Sequence, residues 1–239
     1  MPPAATTPNL LLGTLPERDL DRLRPFLQRT SVVEGDLIVS AGQPIETVCF
    51  LEAGVASYAD LAPSGARTGI GMTGFEGFVG WQALLGAERS SYEVTIAVGG
   101  GSALRIETVR LLDACRDSET LKPHLIRFVQ TFLIQLSQTA VSNLVDSIDK
   151  RLCRWLLMNH DRIEGSEITL THSQIGEMLG VRRASVTDTL HVLEGKGLIR
   201  AERRLISVRD RARLRRCAGE NYGRAEAEYS RLIAPFGKG

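Results

Sequence analysis

Apolar and polar positions change their period along the chain, and each change predicts a different kind of element. From Leu15 to Phe26, "LPERDLDRLRPF" sets Leu15, Leu20, Leu23 and, just beyond, Leu27 at helical spacing, with Pro25 near the end; it predicts a short leading helix. Between Ser31 and Ile106 the texture is different. The runs "SVVEGDLIVSAGQP", "VCFLEAGVASYAD", "ARTGIGMTGFEGFVG" and "YEVTIAVGGGSALRI" are short, β-rich and separated by glycines. Short strands with regular turn signals predict an antiparallel, jelly-roll-like β domain, with Gly35, Gly42, Gly54 and Gly65 as turn points.

No glycine interrupts the chain from Glu107 to His160. Within that stretch Ile126, Val129, Leu133, Leu136, Ala140 and Asn143 recur at alternating spacings of three and four, the seam of a coiled coil. A second stripe, Leu125, Phe128, Phe132 and Gln135, lies on an adjacent face. Two such faces on one helix predict that one covers the β domain and the other meets a partner. Asn143 on the seam either fixes register and dimer state or marks the end of the apolar stretch. The competing arrangement is a helix buried wholly within one subunit.

Further on, "ITLTHSQIGEMLGVRRASVTDTLHVLEGKGLI" carries two short helices. Thr171 stands at an N-cap with Gln174 three residues later, a capping-box spacing, and Ile175, Met178 and Leu179 supply an apolar face that Gly180 ends. After the turn, Val186, Leu190 and Leu193 form a stripe, which leaves Arg182, Arg183, Ser185, Asp188 and Thr189 off the buried face. Two helices joined in this way make a helix-turn-helix, whose second helix presents its first side chains to the major groove of DNA. The segment "GLIRAERRLISV" then reads as a hairpin with Arg203 and Arg204 at or beside its tip, a wing.

Charge sharpens this division. The 239 residues carry a formal net charge of only +1, with 43% hydrophobic residues, enough for a sizeable core in one or two domains. Residues 1–150 hold 12 basic and 17 acidic side chains, a net of −5, whereas residues 151–239 hold 17 and 11, a net of +6. An acidic front and a basic back confine polyanion binding to the C-terminal module. The cysteines, Cys49, Cys115, Cys153 and Cys217, form no CxxC pair, so no zinc or iron-sulfur site is written locally, and reduced thiols in a cytoplasmic protein are expected. The opening "MPPAATTPNLLLGTLPERD" lacks a basic n-region and a long apolar run, so neither a signal peptide nor a membrane anchor is expected.

The order of these parts resembles the Crp/Fnr family of bacterial transcription regulators. The helix-turn-helix stretch resembles that family's DNA-binding motif along its whole length, and "VVEGDLIVSAGQPIETVCFLEAGVA" resembles the opening strands of its cyclic-nucleotide-binding-type β-roll. The resemblance implies an α+β protein in three parts. These are a leading helix and antiparallel β-roll sensor over residues 1–110, a connecting and dimerisation helix over 111–150, and a winged helix-turn-helix with a tail over 151–239. It further implies a homodimer on a palindromic, double-stranded DNA operator, with RNA polymerase as a further candidate partner, no membrane partner and no enzymatic activity. An arginine at the position of Arg183 reads a guanine edge in that family, helped by a hydroxyl at Ser185, while the helix start at Thr171, His172 and Ser173 grips phosphate. The chemistry is sound in its own right, because a guanidinium matches guanine O6 and N7 and helix N-termini favour anions. The residues expected at DNA are therefore Thr171, His172, Ser173, Arg182, Arg183, Ser185, Val186, Asp188, Thr189, Arg203 and Arg204. Ala184 and Asp188 stand where the family commonly has glutamate and arginine, so its operator sequence does not carry over.

The same resemblance places an effector pocket at Gly80, Trp81, Arg89, Ser90, Ser137 and Gln138. Family members that bind cyclic AMP hold its phosphate with an Arg-Ser pair, present here as Arg89 and Ser90, and its ribose with a glutamate after a glycine. Trp81 follows Gly80 instead and cannot accept that hydroxyl, so cyclic AMP is not expected and the effector is unknown. The first histidine is His124, which leaves the β-roll without an imidazole for haem or for a cupin-type metal, and no cysteine cluster offers an iron-sulfur site. The alternative function is a cyclic-nucleotide-binding signalling module whose basic tail docks a protein or membrane.

Overall fold

The computed structural model describes residues 7–238. Residues 1–6, on which part of the expectation about the start of the chain rests, and Gly239 lie outside the described residues. Two short helices lead, α1 (Leu10–Gly13) and α2 (Glu17–Leu23), and a 3-10 turn at Arg24–Phe26 follows where Pro25 stops the helix. The strands are β1 (Gln28–Val32), β2 (Leu37–Val39), β3 (Thr47–Leu51), β4 (Val55–Leu61), β5 (Arg67–Thr73), β6 (Phe78–Val79), β7 (Glu93–Val98) and β8 (Gly101–Glu107). They form two antiparallel four-stranded sheets, in the orders β1-β8-β3-β6 and β2-β7-β4-β5, that face each other across a core of Phe50, Tyr58, Phe78 and Ile96. Gly35, Gly42, Gly54 and Gly65 all have positive φ, as their turns require.

The glycine-free stretch is three helices rather than one rod: α3 (Thr108–Arg116), α4 (Leu121–Val145) and α5 (Ile148–His160). The first two-thirds of α4 closes the roll, burying Leu125, Phe128, Phe132 and Gln135 as the second stripe predicts. Gly77 makes this approach possible, because the ring of Phe128 sits 2.0 Å from where its Cβ would be. The expected partner seam divides. Val129 is buried in its own roll and Leu136 packs against the same core, whereas Leu133, Ala140 and Asn143 face outward. The outward apolar line instead runs through Leu133, Ala140, Val141 and Leu144, the last 85% exposed. An α-helix drifts relative to a strict heptad, and the roll takes the residues nearest it.

The C-terminal part contains β9 (Glu167–Ile168), α6 (His172–Leu179), α7 (Arg183–Gly195), β10 (Ile199–Glu202), β11 (Leu205–Val208), α8 (Arg211–Ala218) and α9 (Arg224–Leu232). Its own core gathers Leu152, Leu156, Ile175, Val186, Leu190, Leu193, Ile206 and Leu214, and extends to Val55, Met72 and Val98 of the roll. Contact between the two parts is close. At Gly69 an added Cβ would lie 2.7 Å from the Met178 carbonyl oxygen, so α6 rests directly on β5. A buried ion pair crosses the same joint: Arg162 Nε lies 2.8 Å from Glu76 Oε1, with both side chains 3% exposed.

The tail folds back over this joint. The Tyr229 hydroxyl donates to the Glu76 carbonyl at 2.7 Å, and the Phe236 ring lies 5.1 Å from the Arg162 guanidinium. Arg211 pairs with Asp161 at 2.6 Å and donates to the Lys238 carbonyl at 2.8 Å. The roll, the segment that follows α5 and the tail are thus held together through charged groups, Glu76 with Arg162 and Asp161 with Arg211, that leave water as pairs.

Candidate nucleic-acid interface

Thr171 caps α6 as its spacing predicts. Its hydroxyl accepts from the Gln174 amide at 3.2 Å, and Gln174 Oε1 accepts from the Thr171 amide at 2.8 Å, closing the capping box. Gly180, with φ +62°, ends the helix, and Arg182 stands at the N-cap of α7. Val186, Leu190 and Leu193 turn inward to meet Ile175 and Leu179. The opposite face presents Arg182, Arg183, Ala184, Asp188 and His191 to solvent, beside the exposed Ser173 and half-buried His172 at the start of α6.

The residues expected at DNA do not all face the same way. Val186 and Thr189 are buried, because they share the period of the apolar stripe, and the Thr189 hydroxyl donates to the Ser185 carbonyl at 2.8 Å. Thr187, which the stripe reading passes over, lies one turn after Arg183 and joins the two helices through its hydroxyl, 2.9 Å from His172 Nδ1. Its i, i+4 relation to Arg183 and His191 is the signal that finds it. The wing forms as a two-residue turn between β10 and β11, with Arg204 at φ +61°. Arg203 carries no side-chain partner among the described residues, and Arg204 reaches Glu34 at 3.4 Å.

Around the roll the six residues expected at an effector do not line one cavity. The Trp81 ring is buried 5.4 Å from that of Phe132, which also lies 4.7 Å from Tyr58, so aromatic side chains fill the space under α4. Gly80 holds the left-handed conformation before it, φ +94°. Arg89 is exposed and donates to the Gly42 carbonyl at 2.9 Å, while buried Ser90 donates to the Tyr92 carbonyl at 2.8 Å. Ser137 faces solvent, and Gln138 is covered by α9, its Oε1 accepting from the Ala225 amide at 3.3 Å.

Residues 150–217 match the family model of the Crp-like helix-turn-helix domain. This stretch is a Crp-like helix-turn-helix domain. No curated protein matches the chain in sequence. Several solved structures match it in fold. FixK2 from Bradyrhizobium japonicum is 18% identical with a TM-score of 0.68, over 79% of this chain and 95% of that one. A CRP-family transcriptional regulator from Thermus thermophilus is 20% identical with a TM-score of 0.66, over 81% and 97%. CLP, described as a c-di-GMP responsive global regulator, from Xanthomonas campestris is 15% identical with a TM-score of 0.64, over 81% and 99%. At these identities the matches show a shared fold. With the domain match, they support a DNA-binding transcriptional regulator of the Crp/Fnr type.

Electrostatics single out one face of the Crp-like domain. Arg182 and Arg183 make no side-chain hydrogen bond or ion pair among the described residues. Partial burial, then the charges of Arg183 and His191, hold His172 below the ordinary imidazole range, so it is neutral near pH 7 and ready to take a proton beside an anion. The first turns of α6 and α7 add amides to the same surface. No helix among the described residues is long and apolar enough to cross a membrane.

Proposed function

We propose that the protein is a homodimeric transcription regulator that binds a palindromic operator, with α7 in the major groove and the Arg203–Arg204 wing on the flanking backbone. The observation that carries this reading is the pair Arg182 and Arg183, unpartnered at the N-terminus of the second helix of a Crp-like domain. Arg183, in the first turn, is positioned for a base edge, and Arg182, nearer the turn between the helices, for phosphate. Ser173 and His172 supply the second phosphate grip, and Thr187 and His191 extend the readout along α7. Selection from random duplexes tests the proposal: recovered sites should share a dyad with half-sites about one helical turn apart, and recovery of unrelated duplexes would remove it.

The dimer is proposed to form along the outward line of α4 through Leu133, Ala140, Val141 and Leu144, which otherwise leaves an apolar strip in water. Replacing Leu133 and Leu144 together with Asp should give monomers by sedimentation. A wild-type protein that sediments as a monomer at micromolar concentration would overturn the dimer. Cyclic AMP is proposed not to act on the roll, since Trp81, Phe132 and Tyr58 occupy the space beneath α4 and no carboxylate follows Gly80. Calorimetry should find no tight complex, and one that depends on Arg89 would reverse this.

A further inference from the structure

Two of the four cysteines meet. Cys153 on α5 is fully buried, and its Sγ lies 2.8 Å from Sγ of half-buried Cys217 on α8, where these two helices pack along each other. The sulfurs come from positions 64 residues apart, so no local turn forces them together. The other two thiols have no such neighbour: Cys49 is buried in β3 and Cys115 in α3. We propose that Cys153 and Cys217 are a modification site, a thiol pair that peroxide converts to an intramolecular disulfide stapling the helix-turn-helix domain.

The chemistry follows from which sulfur meets water. Cys217 is partly exposed and takes the oxidant first: its thiolate attacks one oxygen of hydrogen peroxide, the O–O bond breaks, and Cys217 sulfenic acid and, after proton uptake, one water result. Cys153 then attacks the sulfenic sulfur. The new S–S bond expels hydroxide, which takes the Cys153 proton and leaves as a second water. Two thiols and one peroxide thus give one disulfide and two waters. Burial, followed by the neighbouring Cys217 thiol, holds the Cys153 thiol well above its ordinary range, so Cys153 resolves rather than initiates. Burial also raises Cys49 and pushes Cys115 up to about 11, which keeps both out of the reaction.

The bond would close a loop from residue 153 to 217, nearly the whole of the matched domain, including α6, α7 and the wing. A cross-link over so long a loop restricts the unfolded chain most strongly. It would also tie α5, which carries Arg154 and leads to Arg162 at the joint with the roll, to α8, whose Arg211 holds the tail.

Full-length protein, reduced and then freed of reductant, should be exposed to hydrogen peroxide and its free thiols counted by alkylation and mass spectrometry. The expected result is four free thiols before and two after, a Cys153–Cys217 cross-linked peptide, reversal by dithiothreitol, and an unfolding temperature raised by several degrees. In Cys153→Ser, Cys217 should stop at a sulfenic acid that dimedone captures; in Cys217→Ser, all three remaining thiols should survive. The wild-type thiol count stands even if a variant fails to fold. Four thiols after treatment, a bond to Cys49 or Cys115, or a disulfide between chains would overturn the proposal. None of these readouts depends on DNA binding.

Discussion

Arg162 and Arg183 carry the same guanidinium in the same basic half of the chain and meet opposite surroundings. Arg162 is buried against Glu76, also donates to the Met158 carbonyl at 2.8 Å and stacks under Phe236. Arg154, on the same side, donates to the Asn221 carbonyl at 2.8 Å, and Arg211 is held by Asp161 and the Tyr222 hydroxyl. Arg183 stands in water with no side-chain partner among the described residues, as does Arg182. The excess of +6 in residues 151–239 is therefore not the electrostatic footprint by itself. Part of it is neutralised at the joint with the roll, where desolvation demands a partner for every charge. Among the described residues, the arginines left without a partner include Arg182 and Arg183 at the start of α7 and Arg203 on the wing, as well as Arg215 and Arg216 on α8. At the first three an incoming polyanion is the missing partner.

The largest effect is expected on the inward side. Arg162→Ala strands the Glu76 carboxylate in a buried site and should cost about 3–5 kcal/mol of stability, read as the shift of a urea unfolding curve. Replacing both partners with apolar residues of similar size should cost less than the single change, because no orphaned charge is left. A loss for Arg162→Ala within the range of an exposed pair, about 0–1 kcal/mol, would erase the contrast between the two faces.

On the outward side, unfolding curves should not move and binding should. Arg183→Ala should lose about 1–3 kcal/mol on the selected operator and relax preference at one guanine in each half-site. Arg182→Ala should weaken cognate and scrambled duplexes alike and lower the salt slope by about one unit. Titrations of both variants on both duplexes over a salt series decide between them. Equal losses everywhere would mean that the pair is only a patch of positive charge.

The two faces also differ in how far the sequence reveals them. The helix-turn-helix is written locally: capping residue, partner at N3, terminating glycine and apolar stripe all lie within a few residues of one another, and the structure forms each one. Where that reading goes astray, it counts Val186 at DNA although Val186 belongs to the stripe itself, and it treats Thr189 as free when the helical period turns it inward. Helix α4 is half legible, since a pattern shows which residues are apolar but not which neighbour will cover them; Val129 and Leu136 went to the roll. The Glu76–Arg162 joint is not legible at all. Its partners are 86 residues apart, and nothing near either one announces the other. The tail beyond residue 212 does carry a helical period, with Ala225, Tyr229 and Leu232 on one face of α9, but which distant groups Tyr229, Phe236 and Lys238 meet is not written near them.

The smallest expected effect is a pH dependence carried by His172. In the free protein, burial, then the Arg183 and His191 charges, keep its ring below the ordinary value of 6.5. A phosphate seated at the start of α6 would favour the imidazolium and raise that value, so the complex binds a proton that the free protein lacks between the two. By linkage, DNA affinity should strengthen as pH falls from about 7.5 to 6, by a few-fold at most because the ring is partly solvated. The stability of the free protein has the opposite sign: a lowered histidine contributes fully above 6.5 and loses its contribution as pH falls toward the folded value. Tighter binding in acid therefore cannot be an indirect gain from a firmer fold. His172→Gln should flatten the affinity profile and leave the Arg183→Ala loss unchanged; an undiminished pH dependence in that variant would assign the proton to another group and take His172 out of the phosphate grip.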